Sequence, residues 1–139
     1  MKYRHQHDLN GCGIACLANL LDTDYQIIKS EFELAFYKIN RGVKVTDIVR
    51  YLATKNLKYK VTYINLKKLS EVQIQTFIFQ NNSIILLQRS DKYPIGHYLL
   101  RVETGWIDPW YNLPIIDNVY AQIRTELPGV PMYVIAHTY

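Results

Sequence analysis

Cys12 lies between Gly11 and Gly13 near the start of the 139-residue chain, and a thiol in such a setting is a candidate nucleophile. Apolar residues follow it at helical spacing and predict a helix that begins near Asn10, its expected cap. Backbone N–H groups and the positive end of the helix dipole favour the thiolate form of a cysteine in the first turn. The flanking glycines leave room for a substrate to approach the sulfur. The alternative is a buried core cysteine, which is the usual state of a lone intracellular cysteine.

A histidine and an aspartate further along the chain could complete the site. His97 follows Gly96 and opens a predicted core strand, whereas the other histidines lie near the two ends of the chain. Histidine has the protonation range of a general base. Asp108 comes at a strand end before Pro109 and could orient the imidazole. Taken singly, the two residues could equally be a satisfied core histidine and an Asp-Pro turn.

Gln6 and a group of aromatic residues are further candidates. The Gln6 amide could donate to the oxyanion that forms on a peptide carbonyl, together with the backbone N–H of Cys12. By itself, a glutamine in a polar N-terminal segment is ordinary. Tyr98 and Trp110 are expected to line a substrate groove, and the alternative is that they fill core or surface. They belong to an aromatic set near His97 and Asp108: Tyr93, Tyr98, Trp106, Trp110 and Tyr111.

The elements that must position these residues change character near the middle of the chain. Helical spacing predicts three helices before about residue 56, the second capped by Asp24 and the third starting at Thr46. Alternating or short apolar runs then predict strands at 59–63, 84–87, 97–102, 106–107 and 132–136, with a short helix within 66–79 covering the sheet. We therefore expect an α+β fold within a single domain, 1–139. Its N-terminal helical half packs on a C-terminal, mainly antiparallel sheet.

Composition excludes several classes of protein. The longest apolar run, 84–87, is far too short to span a bilayer, and no secretory signal precedes it, so we expect a cytoplasmic protein without a membrane segment. The net charge of +4 is spread along the chain, which argues against nucleic-acid binding. Cys12 and Cys16 would share a helix face, where a disulfide does not fit. With His5 and His7 they match no zinc pattern, so neither a metal nor a cofactor is expected.

In three short segments the chain resembles the bacteriocin-processing cysteine peptidase family. The segments are Gln6-x-Asp8-x-x-Gly11-Cys12-Gly13-x-Ala15-x-Leu17, Gly96-His97-Tyr98 and Ile107-Asp108-Pro109. The resemblance implies a papain-like fold with Cys12 as nucleophile, His97 as general base and Asp108 as orienting group. It also implies that Gln6 is an oxyanion donor and that hydrolysis proceeds through an acyl-enzyme.

Members of that family usually form the N-terminal domain of ABC transporters and cut double-glycine leader peptides during export. The resemblance thus implies a peptide or protein substrate that is cleaved after small residues such as double glycine. A 139-residue chain has no room for a transporter, so we expect a stand-alone domain with a separate transporter as its partner. Two positions depart from the family pattern: Asn81-Asn82-Ser83 replace a frequent proline, and Cys16 stands where the residue is usually small and apolar.

Two other functions stay open on the sequence alone. The same machinery could release ammonia from glutamine or pass an acyl group to another acceptor, as in a glutamine deamidase or an acyl transferase. A catalytically silent peptide-binding domain of this fold belongs to a different class, but it would lose little by losing Cys12. Peptide-bond hydrolysis is therefore the expected activity.

Overall fold

The chain folds as helices followed by a sheet, which confirms the expected α+β class. The computed structural model describes residues 3–64 and 67–138, apart from the side chain of Phe77. The elements in chain order are α1 (Cys12–Leu21), α2 (Tyr25–Ala35), α3 (Val45–Thr54), β1 (Tyr59–Tyr63), α4 (Glu71–Ile78), β2 (Ile84–Leu87), β3 (His97–Val102), β4 (Gly105–Asp108), β5 (Gln122–Arg124) and β6 (Pro131–His137).

The six strands form one antiparallel sheet in the order β1-β6-β2-β3-β4-β5. β3 and β4 are neighbours, so His97 and Asp108 come from adjacent strands. Five of the strands match the predicted segments. β5 is the strand that the sequence did not predict, because its three residues are too short for an alternating pattern and none of them is fully buried.

α1 is the central helix, and it packs against β3 and α2. Its first seven residues are all buried. The predicted cap is wrong, because the helix is preceded by Gly11 and has no side-chain cap. The Asn10 amide instead donates to the Asn40 carbonyl, across to the segment between α2 and α3. The start of α1 is therefore tied to that segment.

The remaining helices begin close to their predicted positions. The Asp24 carboxylate accepts from the Gln26 N–H at 2.9 Å, as expected of the α2 cap. α3 begins one residue before the predicted start, and the chain leaves it through Asn56 in the left-handed conformation, with φ of 62°. Ser70 caps α4 in a capping box. The first residue of the segment predicted to hold this helix, residue 66, lies outside the described residues.

Two hydrophobic cores lie on the two faces of the sheet. Successive strand residues point to opposite faces, so Tyr98 and Leu100 of β3 pack with the three N-terminal helices while Leu99 packs with Ile78 of α4. None of the described helices is both long and apolar enough to cross a membrane. In the larger core, α1 packs on β3, so Cys12 lies next to the sheet.

Candidate active site

Cys12 is the first residue of α1, and only 6% of it is exposed. The first turn of a helix has backbone N–H groups without helical partners, and Cys12 stands in that turn. Because α1 packs on β3, the thiol comes within hydrogen-bonding reach of His97 at the start of that strand. The structure thus joins residues that are far apart in sequence.

His97 connects the cysteine to the aspartate. Its Nε2 lies 2.7 Å from Oδ1 of Asp108, which leaves Nδ1 as the ring nitrogen for Cys12. Burial lowers the pKa of His97, but hydrogen bonds with Asp108 and Cys12, together with their negative charges, outweigh burial and raise the pKa from 6.5 to about 9. The raised pKa therefore favours the imidazolium form of His97 at neutral pH.

Asp108 ends β4 and is fully buried. Its Oδ1 also accepts from the Trp110 backbone N–H at 3.0 Å, and its Oδ2 accepts from Nε of Arg124 at 2.6 Å. Burial raises the pKa of Asp108, but the hydrogen bonds and charge of His97, followed by the hydrogen bond from Arg124, hold it below its usual value. Asp108 is therefore a carboxylate whose two oxygens are both engaged.

Arg124 is the site residue that the sequence did not reveal. In the antiparallel register Asp108 pairs with Gln122, so Arg124 is the diagonal neighbour on the same face. Its guanidinium also donates to the Tyr111 carbonyl at 3.2 Å and lies 4.4 Å from the centre of the Tyr111 ring. No sequence signal marks it, because β5 itself has none.

Tyr93 covers one face of the imidazole. Its ring stacks on His97 with the centroids 4.5 Å apart and the planes within 1° of parallel. Burial raises the pKa of Tyr93 to about 12, with a further contribution from the charge of Asp108. The phenol is therefore neutral at physiological pH, and its buried hydroxyl has no hydrogen-bond partner in the described part of the chain.

Gln6 is buried in the loop that leads into α1. Its backbone N–H donates to the Pro109 carbonyl at 3.1 Å, which attaches this loop to the end of β4. Its Nε2 donates to the carbonyls of Asp8 and Leu9 at 2.9 and 3.0 Å, while Oε1 has no partner within residues 3–64 and 67–138. Both amide hydrogens are thus engaged inside the loop.

The two glycines beside Cys12 are required by internal packing. A Cβ on Gly11 would lie 1.9 Å from the hydroxyl of Tyr25, which donates to Asp8 at 2.7 Å. A Cβ on Gly13 would lie 3.3 Å from the ring of Tyr98. Each glycine therefore allows an aromatic residue to approach the start of α1.

A groove of about 1000 Å³ opens beside Cys12. The segment 37–46, which leads from the end of α2 into α3, forms one side, and residues of the 86–98 region form the other. Tyr98 lines the groove, and its hydroxyl donates to the Val43 carbonyl at 2.6 Å. Trp110 is not among the described residues that line it, and its indole N–H donates to the Ile115 carbonyl at 2.9 Å.

Cys16 plays no part in this geometry. Burial raises the pKa of Cys16 well above its ordinary value, so it remains a neutral thiol in the core. In the described ranges, no group of three His, Cys, Asp or Glu side chains is placed to hold a metal ion.

Comparison with known proteins points to a family of peptidases. Residues 1–95 match the sequence profile of the Peptidase C39 family. In fold, the chain is similar to the peptidase domain of Streptococcus ComA, described as a bi-functional ABC transporter involved in a quorum-sensing pathway. The TM-score is 0.60 at 14% identity, over 99% of this chain and 97% of that chain, which confirms the papain-like fold. No curated protein matches the sequence significantly.

Proposed function

Since this chain belongs to the Peptidase C39 family, we propose that it is a single-domain cysteine peptidase in which Cys12 attacks a peptide carbonyl. His97 is the general base and acid, and Asp108 orients it. The observation that carries this proposal is the buried contact of 2.7 Å between His97 and Asp108, on an imidazole whose pKa Cys12 also raises. Family membership supports the reaction type, and the geometry supports the assignment of roles.

The reaction divides into acylation and hydrolysis. The Cys12 thiolate adds to the carbonyl carbon, and the carbon–nitrogen bond breaks as the His97 imidazolium gives its proton to the departing amine. This leaves a thioester and a neutral imidazole. His97 then removes a proton from water, whose oxygen attacks the thioester, and the acid product departs as the thiolate returns. Asp108 stays ionised and keeps Nδ1 of His97 directed at the sulfur throughout.

The tetrahedral oxyanion needs hydrogen-bond donors, for which the backbone N–H of Cys12 and the Gln6 amide are the candidates. Gln6 would serve once one of its two Nε2 bonds, to Asp8 or to Leu9, is exchanged for the oxyanion. Its attachment to Pro109 keeps the amide next to the strand that supplies Asp108. Gln6 is thus a donor that substrate binding engages.

The substrate occupies the groove beside Cys12, with Tyr98 in its wall. Gly13 keeps a side chain away from the groove residues Tyr98 and Val43, whereas Gly11 makes room for Tyr25. The Trp110 backbone N–H supports Asp108. Cleavage after small residues such as double glycine is supported by the family. The solved relative is a domain of an ABC transporter, which supports a transporter as a partner of this chain and, with it, a cytoplasmic location.

Peptides that span a Gly-Gly bond test the proposal when product masses are measured. The wild type should cleave after the second glycine, and the Cys12→Ala variant should not. Cys16→Ala is the matched control, because it removes the other thiol of the same helix and should retain cleavage. Undiminished turnover by Cys12→Ala would refute the proposal.

Ammonia release without scission would identify a deamidase, and transfer to an added amine would identify an acyl transferase. Peptide binding without turnover would identify a silent domain.

A further inference from the structure

The groove beside Cys12 is lined by cations and by no acidic residue. Its lining includes four positively charged side chains, and all four are exposed: Lys38, Arg41, Lys44 and Arg89. No Asp or Glu of the described chain is part of that lining. Four of the 16 Lys and Arg residues of the chain thus line the groove that contains Cys12.

These four cations have no carboxylate partners among the described residues. Elsewhere, Lys29 pairs with Asp8 at 3.1 Å and Lys55 pairs with Glu31 at 2.7 Å. Two carboxylates near the 37–46 segment are engaged by other groups: Asp47 accepts from the Tyr37 hydroxyl at 2.7 Å, and Glu33 accepts from the Ile39 backbone N–H at 3.0 Å. The groove cations therefore have no ion-pair partner within the described ranges, and a negatively charged ligand would supply one.

The cations are held on both sides of the groove. Three of them stand on the segment 37–46 and Arg89 stands on the opposite side, where Ile95 reaches across to within 3.2 Å of a Cβ built on Gly42. The Asn10 amide and the Tyr98 hydroxyl fasten the 37–46 segment next to the start of α1. A chain lying in the groove would thus pass between positive charges on its way to Cys12.

We propose that the groove selects peptides that carry several acidic side chains next to the scissile bond. This inference rests on the proposed peptidase function, because that function places a peptide in the groove. A peptide fits better than a nucleic acid, since the groove contains a thiol suited to acyl transfer and only four cations of the described chain line it. Opposite charge speeds encounter and discriminates against basic peptides.

Binding to the Cys12→Ala variant tests the charge preference independently of catalysis. Three labelled peptides with the same Gly-Gly centre carry glutamates, glutamines or lysines at the same flanking positions, and fluorescence anisotropy measures Kd. Several exposed ion pairs together should make the glutamate peptide bind about tenfold tighter than the glutamine peptide. The advantage should shrink as NaCl is added. Equal affinities, or tighter binding of a single-stranded oligonucleotide than of the glutamate peptide, would overturn the proposal.

Charge reversal locates the effect. Arg41→Glu combined with Lys44→Glu, in the same Cys12→Ala background, should invert the order so that the lysine peptide binds best. Lys58→Glu combined with Lys60→Glu changes the net charge equally near the far end of β6 and should leave the order unchanged. Inversion by the control pair would show that net charge, rather than the groove, sets the preference. If the double reversal lowers the Tm, Lys38→Ala is a milder second variant, because it removes only one charge and should reduce the preference for the glutamate peptide.

Cleavage rates of the wild type separate this inference from the function on which it rests. If no peptide is cut but the glutamate peptide still binds best, the peptidase proposal fails and the anionic preference stands. If all three are cut and bound equally well, the peptidase stands and the preference is wrong. If both hold, kcat/KM should fall in the order glutamate, glutamine, lysine.

Discussion

Arg124 and His97 hold opposite oxygens of the same carboxylate, at 2.6 and 2.7 Å from Oδ2 and Oδ1 of Asp108. A carboxylate fixed at both oxygens cannot rotate, so the imidazole that it holds is fixed as well. Arg124 also compensates the buried negative charge of Asp108, which would otherwise have only His97 as a charge partner. Arg124 is thus a positioning residue that acts through Asp108.

Replacing Arg124 should affect both stability and chemistry. Arg124→Met leaves a fully buried carboxylate short of a charge partner and should cost about 3 kcal/mol of unfolding free energy. Arg124→Lys keeps the charge but cannot reproduce the two donations to Asp108 and Tyr111, so kcat should fall while KM changes little. Urea unfolding and steady-state kinetics measure the two effects. Arg4→Met removes an exposed ion pair with Asp22 and should change neither by much. Unchanged kcat in Arg124→Lys would refute the positioning role.

The protonation of His97 should set the alkaline limit of activity. Its pKa is raised to about 9, so the proton needed by the departing amine is present below that pH and is lost above it. The kcat/KM profile should therefore fall as pH rises through about 9. Alkylating Cys12 removes one of the groups that raise the pKa of His97, so NMR titration of the alkylated protein should show a lower value. An alkaline limb near pH 6.5 would contradict this reading.

The stacked ring of Tyr93 should favour the charged form of His97. A cation over an aromatic face gains about 0.5–2 kcal/mol, so Tyr93→Leu should move the alkaline limb down by roughly 0.4–1.5 pH units. Tyr93→Phe keeps the ring and should leave the pH profile unchanged. Because the buried hydroxyl has no partner in the described structure, Tyr93→Phe should also raise the free energy of unfolding by about 1 kcal/mol. Identical pH profiles for Leu and Phe would exclude the cation–π contribution.

Gly11 should tolerate no side chain while Tyr25 keeps its hydroxyl. Gly11→Ala forces the Tyr25 hydroxyl away from Asp8, at a cost of about 1–3 kcal/mol measured by thermal or urea unfolding. In a Tyr25→Phe background the closest clash is gone, so the same substitution should cost less. A cost independent of the residue at position 25 would mean that the backbone, and not Tyr25, requires the glycine.

The parts of the site that depend on strong local patterns were predictable from the sequence. The periodicity of α1 predicted that Cys12 lies in its first turn, and the apolar runs of β3 and β4 predicted that His97 opens one strand and that Asp108 lies at the end of the next. Both placements need only the neighbouring residues. The family match over residues 1–95 does not extend to His97 or Asp108.

The parts that depend on tertiary contacts were not predictable. Asn10 has the residue type of a helix cap, but a carbonyl of a distant segment takes its amide instead. Arg124 becomes a site residue only through strand register, and its strand is too short to show a pattern. The internal bonds of Gln6 arise from a loop closure that no periodicity describes. In each case a long-range partner overrides the local preference.

Because of the place of β6, the sheet is completed only after the last strand of the described chain has been synthesised. β6 is inserted between β1 and β2, so β1 has no neighbour in the described sheet until the segment Pro131–His137 has been synthesised. Such pairing between remote parts of a chain is slow to form. On the ribosome, Cys12 therefore emerges long before the complete sheet that carries His97 can form.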